Sequence, residues 1–242
     1  MPSLDSRVSS SRRAVEERRS QRSLADLERA AASLTPIRPF TESVVGEEIS
    51  FVVRCKVIDR QLLEIAEEAE LAGIAAGLDP LGTAATLSTI PLLLTDLIVD
   101  PYQLFEARLA GAGGVVLIAA AFDDDDEHCA LLHGTAVSIG LDVIVEVADE
   151  HEIEHTLELL DPDSFLIRNR DVEGDGEIDL ERTFSLLAEV PAGKVVVSQG
   201  GIRHRDEVEA LERSGVDAAI LGPWAATAEL AETLRVLRGE SR

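Results

Sequence analysis

Three stretches of this sequence carry residue types at spacings that chemistry can use. His151-Glu152-Ile153-Glu154-His155 sets two histidines four residues apart, on one helix face, in the pattern of a zinc protease. Ile153, Leu157 and Leu160 mark the core-facing side of that helix, so both histidines face solvent. A catalytic zinc there would lack a dry pocket and a third ligand, and we expect no metal centre. Asp171 to Arg182 puts oxygen ligands at positions one, three, five and nine of a calcium loop, with Gly176 at six and Ile178 at eight. Position twelve is Arg182 instead of a bidentate glutamate. The stretch therefore reads as a plain acidic loop, with weak calcium binding left open. Asp123 to Glu127 is an unbroken acidic run, as favoured at a helix N-terminus by the dipole and as found on solvated faces.

Any site needs elements to hold it, and the apolar runs define these. Runs at Ile49–Cys55, Gly73–Leu78, Pro91–Thr95, Gly114–Ala120, Asp142–Val147, Ser164–Ile167, Lys194–Ser198 and Ala218–Leu221 are β-branched or Ala-rich and lack period-two alternation. That texture belongs to strands buried on both faces of a parallel sheet. Amphipathic stretches lie between them: Gln61–Ala72, Pro101–Ala110, His128–Ile139, Asp149–Leu160, Leu180–Leu187, Asp206–Ser214 and Leu230–Leu237. The second connection, Asp79 to Ile90, is too short and Gly/Pro-bounded to read as a full helix. A charged helical pattern runs from Arg12 to Ala32 and ends before Pro36 and Pro39.

Strand and helix signals in alternation predict an α/β fold, a (β/α)8 barrel over residues 46–242 behind a helical extension over residues 1–45. An open doubly wound sheet is the alternative. In a barrel, Glu146 falls near the C-terminal end of the fifth strand, the end where this fold keeps its chemistry. It is read either as a catalytic carboxylate or as a partner of Arg54 or Lys56 that fixes geometry. Gly200, Gly201 and Gly222 follow the seventh and eighth strands, where backbone N–H groups hold phosphates in many barrels; tight turns require glycine there equally well.

Composition narrows the partners. The 242 residues are 45% hydrophobic, enough for one sizeable core, and only 3% aromatic. Acidic residues outnumber basic ones 46 to 22, a formal net charge of -24. Such a surface repels phosphate backbones and anionic lipid, so neither nucleic acid nor membrane is an expected partner. Lysine occurs only at positions 56 and 194, and this balance fits a salt-adapted organism and a GC-rich genome equally. Cys55 and Cys129 are too few for a disulfide framework or a cysteine zinc site. Met1 to Arg22 has no apolar signal region, and no apolar run is long enough to span a bilayer, so a cytoplasmic protein is expected.

The segment Asp96-Leu-Ile-Val-Asp-Pro-Tyr-Gln-Leu-Phe-Glu-Ala-Arg-Leu-Ala-Gly-Ala, continuing into Val115-Val-Leu-Ile-Ala-Ala-Ala, closely resembles the third-to-fourth strand region of indole-3-glycerol-phosphate synthases. Leu141-Asp-Val-Ile-Val-Glu-Val resembles that family's fifth strand with its glutamate. Asn169-Arg-Asp and Val197-Ser-Gln-Gly-Gly-Ile-Arg resemble the motifs after strands six and seven. The Arg-rich N-terminal helix and Ile37-Arg-Pro-Phe40 match the family's extension, so the likeness covers nearly the whole chain.

The resemblance implies closure of an indole ring on an anilino-deoxyribulose phosphate, with loss of carbon dioxide and water. That chemistry takes a general acid at the carbonyl oxygen, a carboxylate to accept protons, and amides on the phosphate. Carried over by position, Glu146 keeps the catalytic carboxylate. The family's strand-one Glu-x-Lys falls on Arg54 and Lys56, and its strand-three Lys-Asp-Phe becomes Thr95-Asp96-Leu97. The lysine lost there is the family's general acid, which a threonine hydroxyl is too weak an acid to replace. A substrate-contacting asparagine becomes Arg168, followed by Asn169 and Arg170. Glu-Ser-Gly becomes Gln199-Gly200-Gly201, and Gly-Glu-Ser becomes Gly222-Pro223-Trp224, where proline has no N–H to offer. The loops after strands one and two are missing or shortened.

The expected site is therefore Glu146 as the catalytic group, with Arg54, Lys56, Arg168, Asn169 and Arg170 on the substrate and Gly200, Gly201 and Gly222 on a phosphate. Neither a cofactor nor a metal is expected. The expected ligand is a phosphorylated or carboxylated small molecule, with ring-closing carboxy-lyase activity lost or altered. The resemblance adds a tryptophan-pathway enzyme as a protein partner. The alternative is an active synthase whose acid has moved.

Overall fold

The computed structural model describes residues 2–122, 125–170 and 177–240. Two helices come first, α1 (Leu4–Gln21) and α2 (Leu24–Ala31), then the single turn α3 (Thr41–Val44). Eight strand–helix units follow: β1 (Ser50–Arg54) and α4 (Arg60–Glu68), β2 (Gly73–Ala76) and α5 (Leu78–Leu87), β3 (Leu92–Leu94) and α6 (Pro101–Leu109), β4 (Gly114–Ile118) and α7 (Asp126–Ser138). The second half continues with β5 (Asp142–Val147) and α8 (Glu150–Leu159), β6 (Ser164–Arg168) and α9 (Glu181–Leu187), β7 (Val195–Gln199) and α10 (Arg205–Ser214), β8 (Ala218–Leu221) and α11 (Leu230–Arg238). All neighbouring strands are parallel, and pairing of Ser50–Val53 with Ala218–Leu221 closes the ring. The protein is a (β/α)8 barrel, and the open-sheet alternative is excluded.

Local sequence explains the starts and stops. Asp59, Asp100, Asp125 and Asp149 each accept a backbone N–H at the head of α4, α6, α7 and α8, so part of the acid surplus caps helices. Gly215 and Gly239 end α10 and α11 in the left-handed conformation. Two elements differ from expectation. The second connection is helical after all: Pro80 sits in the first turn of α5, where its missing N–H is harmless, and buried Leu81 and Ala84 anchor the helix. The N-terminal pattern is two helices, starting earlier at Leu4 and broken where Ser23 caps α2.

The barrel interior is layered. Val52, Ala75, Leu93, Val116, Ile144, Leu166, Val197 and Ala218 fill it, and fully buried Phe40 and Val44 plug the N-terminal end. Phe40 explains two glycines: a Cβ on Gly73 would lie 2.6 Å from its ring, and one on Gly114 would lie 3.0 Å from its Cβ. The outward faces of the strands pack against the helix ring in a second, larger core.

The extension crosses α6 and is fastened there. Arg18 makes a two-pronged ion pair with Glu106 at 2.8 and 2.9 Å, and Arg19 reaches Asp100 at 2.7 Å. Tyr102 donates to the Arg22 carbonyl at 3.0 Å and packs with Val15, Leu27 and Phe105. The Asp100-Pro-Tyr-Gln block therefore builds a joint: Asp100 caps α6, Pro101 starts it, Tyr102 receives the extension and Gln103 accepts from Val99 N at 2.8 Å. This joint aims α1 across the C-terminal end of the barrel.

Candidate functional site

Inward-facing positions alternate along each strand, so the residue two beyond each interior apolar side chain reaches the mouth. Val52 is followed by Arg54, Ile144 by Glu146, Leu166 by Arg168 and Val197 by Gln199. These side chains, with Thr95, Ile118, the Gly200–Arg203 loop and Gly222–Trp224, line a cavity of about 380 Å³ at the C-terminal ends of the strands. Arg7 of α1 joins them from the extension.

Charge dominates the cavity. Among the described residues, its lining carries Arg7, Arg54, Arg168, Arg170 and Arg203 against the single carboxylate of Glu146. Glu146 and Arg168 are both 8% exposed, and Arg168 Nε lies 2.8 Å from Glu146 Oε1. The Nε–H is not directed at that oxygen, and it has no hydrogen-bond acceptor. Burial pushes the Glu146 carboxyl above its ordinary value, outweighing the opposing pull of Arg168, Arg54 and Arg7. The chain's net charge is -24, so this cluster is a local reversal of sign.

The structure brings Arg54, Glu146, Arg168, Arg170, Gly200, Gly201 and Gly222 to one cavity. It does not bring Lys56 or Asn169 there. Lys56 is exposed and absent from the lining, because β1 ends at Arg54 and Cys55 N makes the last ladder bond, to Ala75 O at 2.8 Å. Asn169 is fully buried behind the wall. Its Nδ2 donates to Ser198 Oγ and Gly200 O, both at 3.0 Å, and its Oδ1 accepts from Thr183 at 2.8 Å. It positions the glycine loop rather than touching the cavity. Gly200 and Gly201 have φ of 105° and 83°, a backbone that side chains disfavour. Trp224 lies over Gly222, where a Cβ would come within 2.9 Å of its ring, and Arg203 stacks 5.4 Å above the indole.

Two charged lining residues escaped the sequence reading. Arg203 stands at the end of the Gln199-Gly-Gly-Ile-Arg motif, a signal that was there to use. Arg7 had none, since nothing local ties it to residues so far along the chain. The other motifs lie elsewhere. His155 pairs with Asp126 at 2.9 Å on the outer helices, and Glu152 of the same motif accepts from Ala148 N at 2.7 Å at the start of α8. No group of three potential metal ligands occurs among the described residues. Positions 171–176 of the calcium-like loop, and Asp123 and Asp124 of the acidic run, lie outside the described residues. Asp125 caps α7.

A closed parallel barrel with an arginine-lined cavity at the carboxyl ends of the strands defines the class, a (β/α)8 barrel with its cavity at the usual end. The family model for indole-3-glycerol phosphate synthase matches residues 76–235. The indole-3-glycerol phosphate synthase of Leuconostoc mesenteroides is 31% identical over 98% of this chain and 99% of its own length. That of Acidithiobacillus ferrooxidans is 37% identical over 59% of this chain and 52% of its own. This chain belongs to the indole-3-glycerol phosphate synthase family. A mutant tryptophan synthase alpha-subunit from Pyrococcus furiosus shares the fold, with a TM-score of 0.62 and 14% identity over 78% of this chain and 98% of that one. No helix among the described residues is long and apolar enough to cross a membrane.

Proposed function

We propose that this family member binds a phosphorylated or carboxylated small molecule in its barrel mouth and has lost the ring-closing carboxy-lyase reaction. The observation that carries this reading is the make-up of the cavity wall among the described residues: five arginines, no lysine and one carboxylate. Ring closure with loss of water asks for one group that gives a proton and another that takes one. Glu146 is the single carboxyl in the described lining and burial raises its pKa, whereas guanidinium stays protonated and threonine does not ionise. A substrate carboxylate seated on these guanidiniums is also stabilised in the ground state, the opposite of what loss of carbon dioxide needs.

In this reading Arg54, Arg168 and Arg170 hold the anion. Gly200, Gly201 and Gly222 shape the phosphate end. Residues 1–45 belong to the working unit because they supply Arg7. A cytoplasmic setting fits two free, buried cysteines. Association with a tryptophan-pathway enzyme is carried by family membership alone.

A second reading has its own observation. The raised pKa of Glu146 lets one buried carboxyl act as acid in one step and base in another, which makes Glu146 the relocated acid of a slow synthase. One experiment separates the two. Trp224 is the chain's single tryptophan and lines the cavity, so its fluorescence reports occupancy. Titration with the carboxyphenylamino-deoxyribulose phosphate is expected to change that signal without forming indole product. Turnover abolished by Glu146→Gln would establish the second reading instead. Absence of any binding at low salt would sink both.

A further inference from the structure

The carboxylate of Glu146 and an anion in the barrel mouth compete for the same cations. The register partners of Glu146 on the neighbouring strands, Ile118 of β4 and Leu166 of β6, are apolar. The charges that act on it are Arg168 at the end of β6, Arg54 at the end of β1 and Arg7 on α1. Arg170 and Arg203 stand in the same lining on the loops after β6 and β7, while Thr95 after β3 and Gln199 at the end of β7 are neutral. Among the described residues the lining holds no histidine and no second carboxyl.

The pair at the floor is dry. Glu146 and Arg168 are both buried, with Nε and Oε1 2.8 Å apart, so solvent and salt screen their charges little. An anion seated on Arg168 and Arg54 draws off the cations that keep Glu146 ionised and sets a second negative charge beside it. Like charges in one dry site disfavour each other, and a carboxyl is relieved by taking up a proton. The arginines are protonated already, so no other group in the described lining can take up that proton. Burial pushes Glu146 in the same direction before any anion arrives.

We infer that Glu146 is a built-in competitor for the ligand: it pairs with Arg168 until an anion takes its place on Arg168 and Arg54, and that anion is bound together with one proton on the Glu146 carboxyl. The proton comes from solvent and returns to it on release. The inference rests on the reading of the mouth as an anion site and adds its regulation, because the site then fills as pH falls and empties as pH rises. Between the Glu146 pKa of the free protein and that of the complex, affinity should drop by up to about tenfold per unit of rising pH, and it should level off outside that window.

The probe is sulfate, which keeps its charge throughout the neutral range, added to the full chain at low salt. Calorimetric titration in two buffers of different ionisation enthalpy counts the protons, and Trp224 fluorescence follows occupancy. Within the window, uptake should approach one proton per sulfate, and the sulfate-induced infrared difference spectrum should gain a protonated-carboxyl band. Glu146→Gln keeps the shape and removes the acid. It should bind sulfate without proton uptake and without that band, and at the high-pH end of the window at least about tenfold more tightly than the parent. Arg54→Ala should weaken sulfate binding, which places the anion in the mouth. Sulfate bound there with no proton uptake, or with equal uptake in Glu146→Gln, would overturn the inference and leave the anion site standing. Binding unchanged in Arg54→Ala, or no sulfate binding at any pH, would remove the anion site and the inference with it.

Discussion

Replacing Arg168 by methionine isolates the charge balance of the barrel mouth. The change keeps the apolar stem and removes the strongest cation acting on Glu146, leaving Arg54 and Arg7 at longer range. Breaking a buried ion pair costs about 3–5 kcal/mol when the remaining charge stays buried. Glu146 has an escape, because it can take up a proton. Its native pKa already stands above the ordinary 4.5. Protonation at pH 7 is therefore cheaper than for an ordinary carboxyl, which keeps the loss below that range. We expect a loss of about 2–3 kcal/mol, or about 4–12 °C in Tm for a chain of this size.

The pH dependence carries the sign. A carboxyl whose folded pKa is raised contributes stability below its unfolded value, and that contribution is lost as pH rises through the folded value. Arg168→Met raises the folded value further, so its deficit against the parent should be small near pH 4.5 and grow until it levels off above the variant's pKa. Thermal unfolding by circular dichroism at pH 5 and pH 8, in low salt, measures this directly. Adding Glu146→Gln to Arg168→Met should restore stability at pH 8 by removing the stranded carboxylate. A deficit equal at both pH values, or a double variant no better than the single, would refute the account of a dry, coupled pair.

Three further outcomes are expected. Phe40→Ala empties the plug at the base of the barrel, where the ring is fully buried, and should cost about 3–5 kcal/mol in urea unfolding. Gly201→Ala forces a side chain into φ of 83°, and its Cβ meets Ile178 at 2.9 Å; it should cost about 1–3 kcal/mol by the same measurement. Burial pushes the thiols of Cys55 and Cys129 up to about 11, so the folded protein at pH 8 should resist an aromatic disulfide reagent that labels both once unfolded.

The barrel itself was legible because its signals are local. Doubly buried strands leave unalternating apolar runs, and aspartates at helix heads announce themselves by sequence. The resemblance went further than chemistry alone allows, and it set Glu146 on the fifth strand, where it lies. It misjudged contact where geometry intervened: Asn169 turned behind the wall to bind Ser198 and Thr183, and Lys56 was carried past the end of β1 into solvent.

What the sequence determined alone was the alternation of elements, their caps, and the inward or outward face of each strand residue, all set within a few positions along the chain. Which cations surround Glu146 was decided by closure of the ring and by the Arg18–Glu106 and Arg19–Asp100 fastenings that swing α1 over the mouth. The burial that raises the Glu146 pKa and sets Arg168 against it arises in the same way. Desolvation and charge pairing depend on distance through space, and only the folded chain brings residues 7, 54, 146 and 168 within reach of one another.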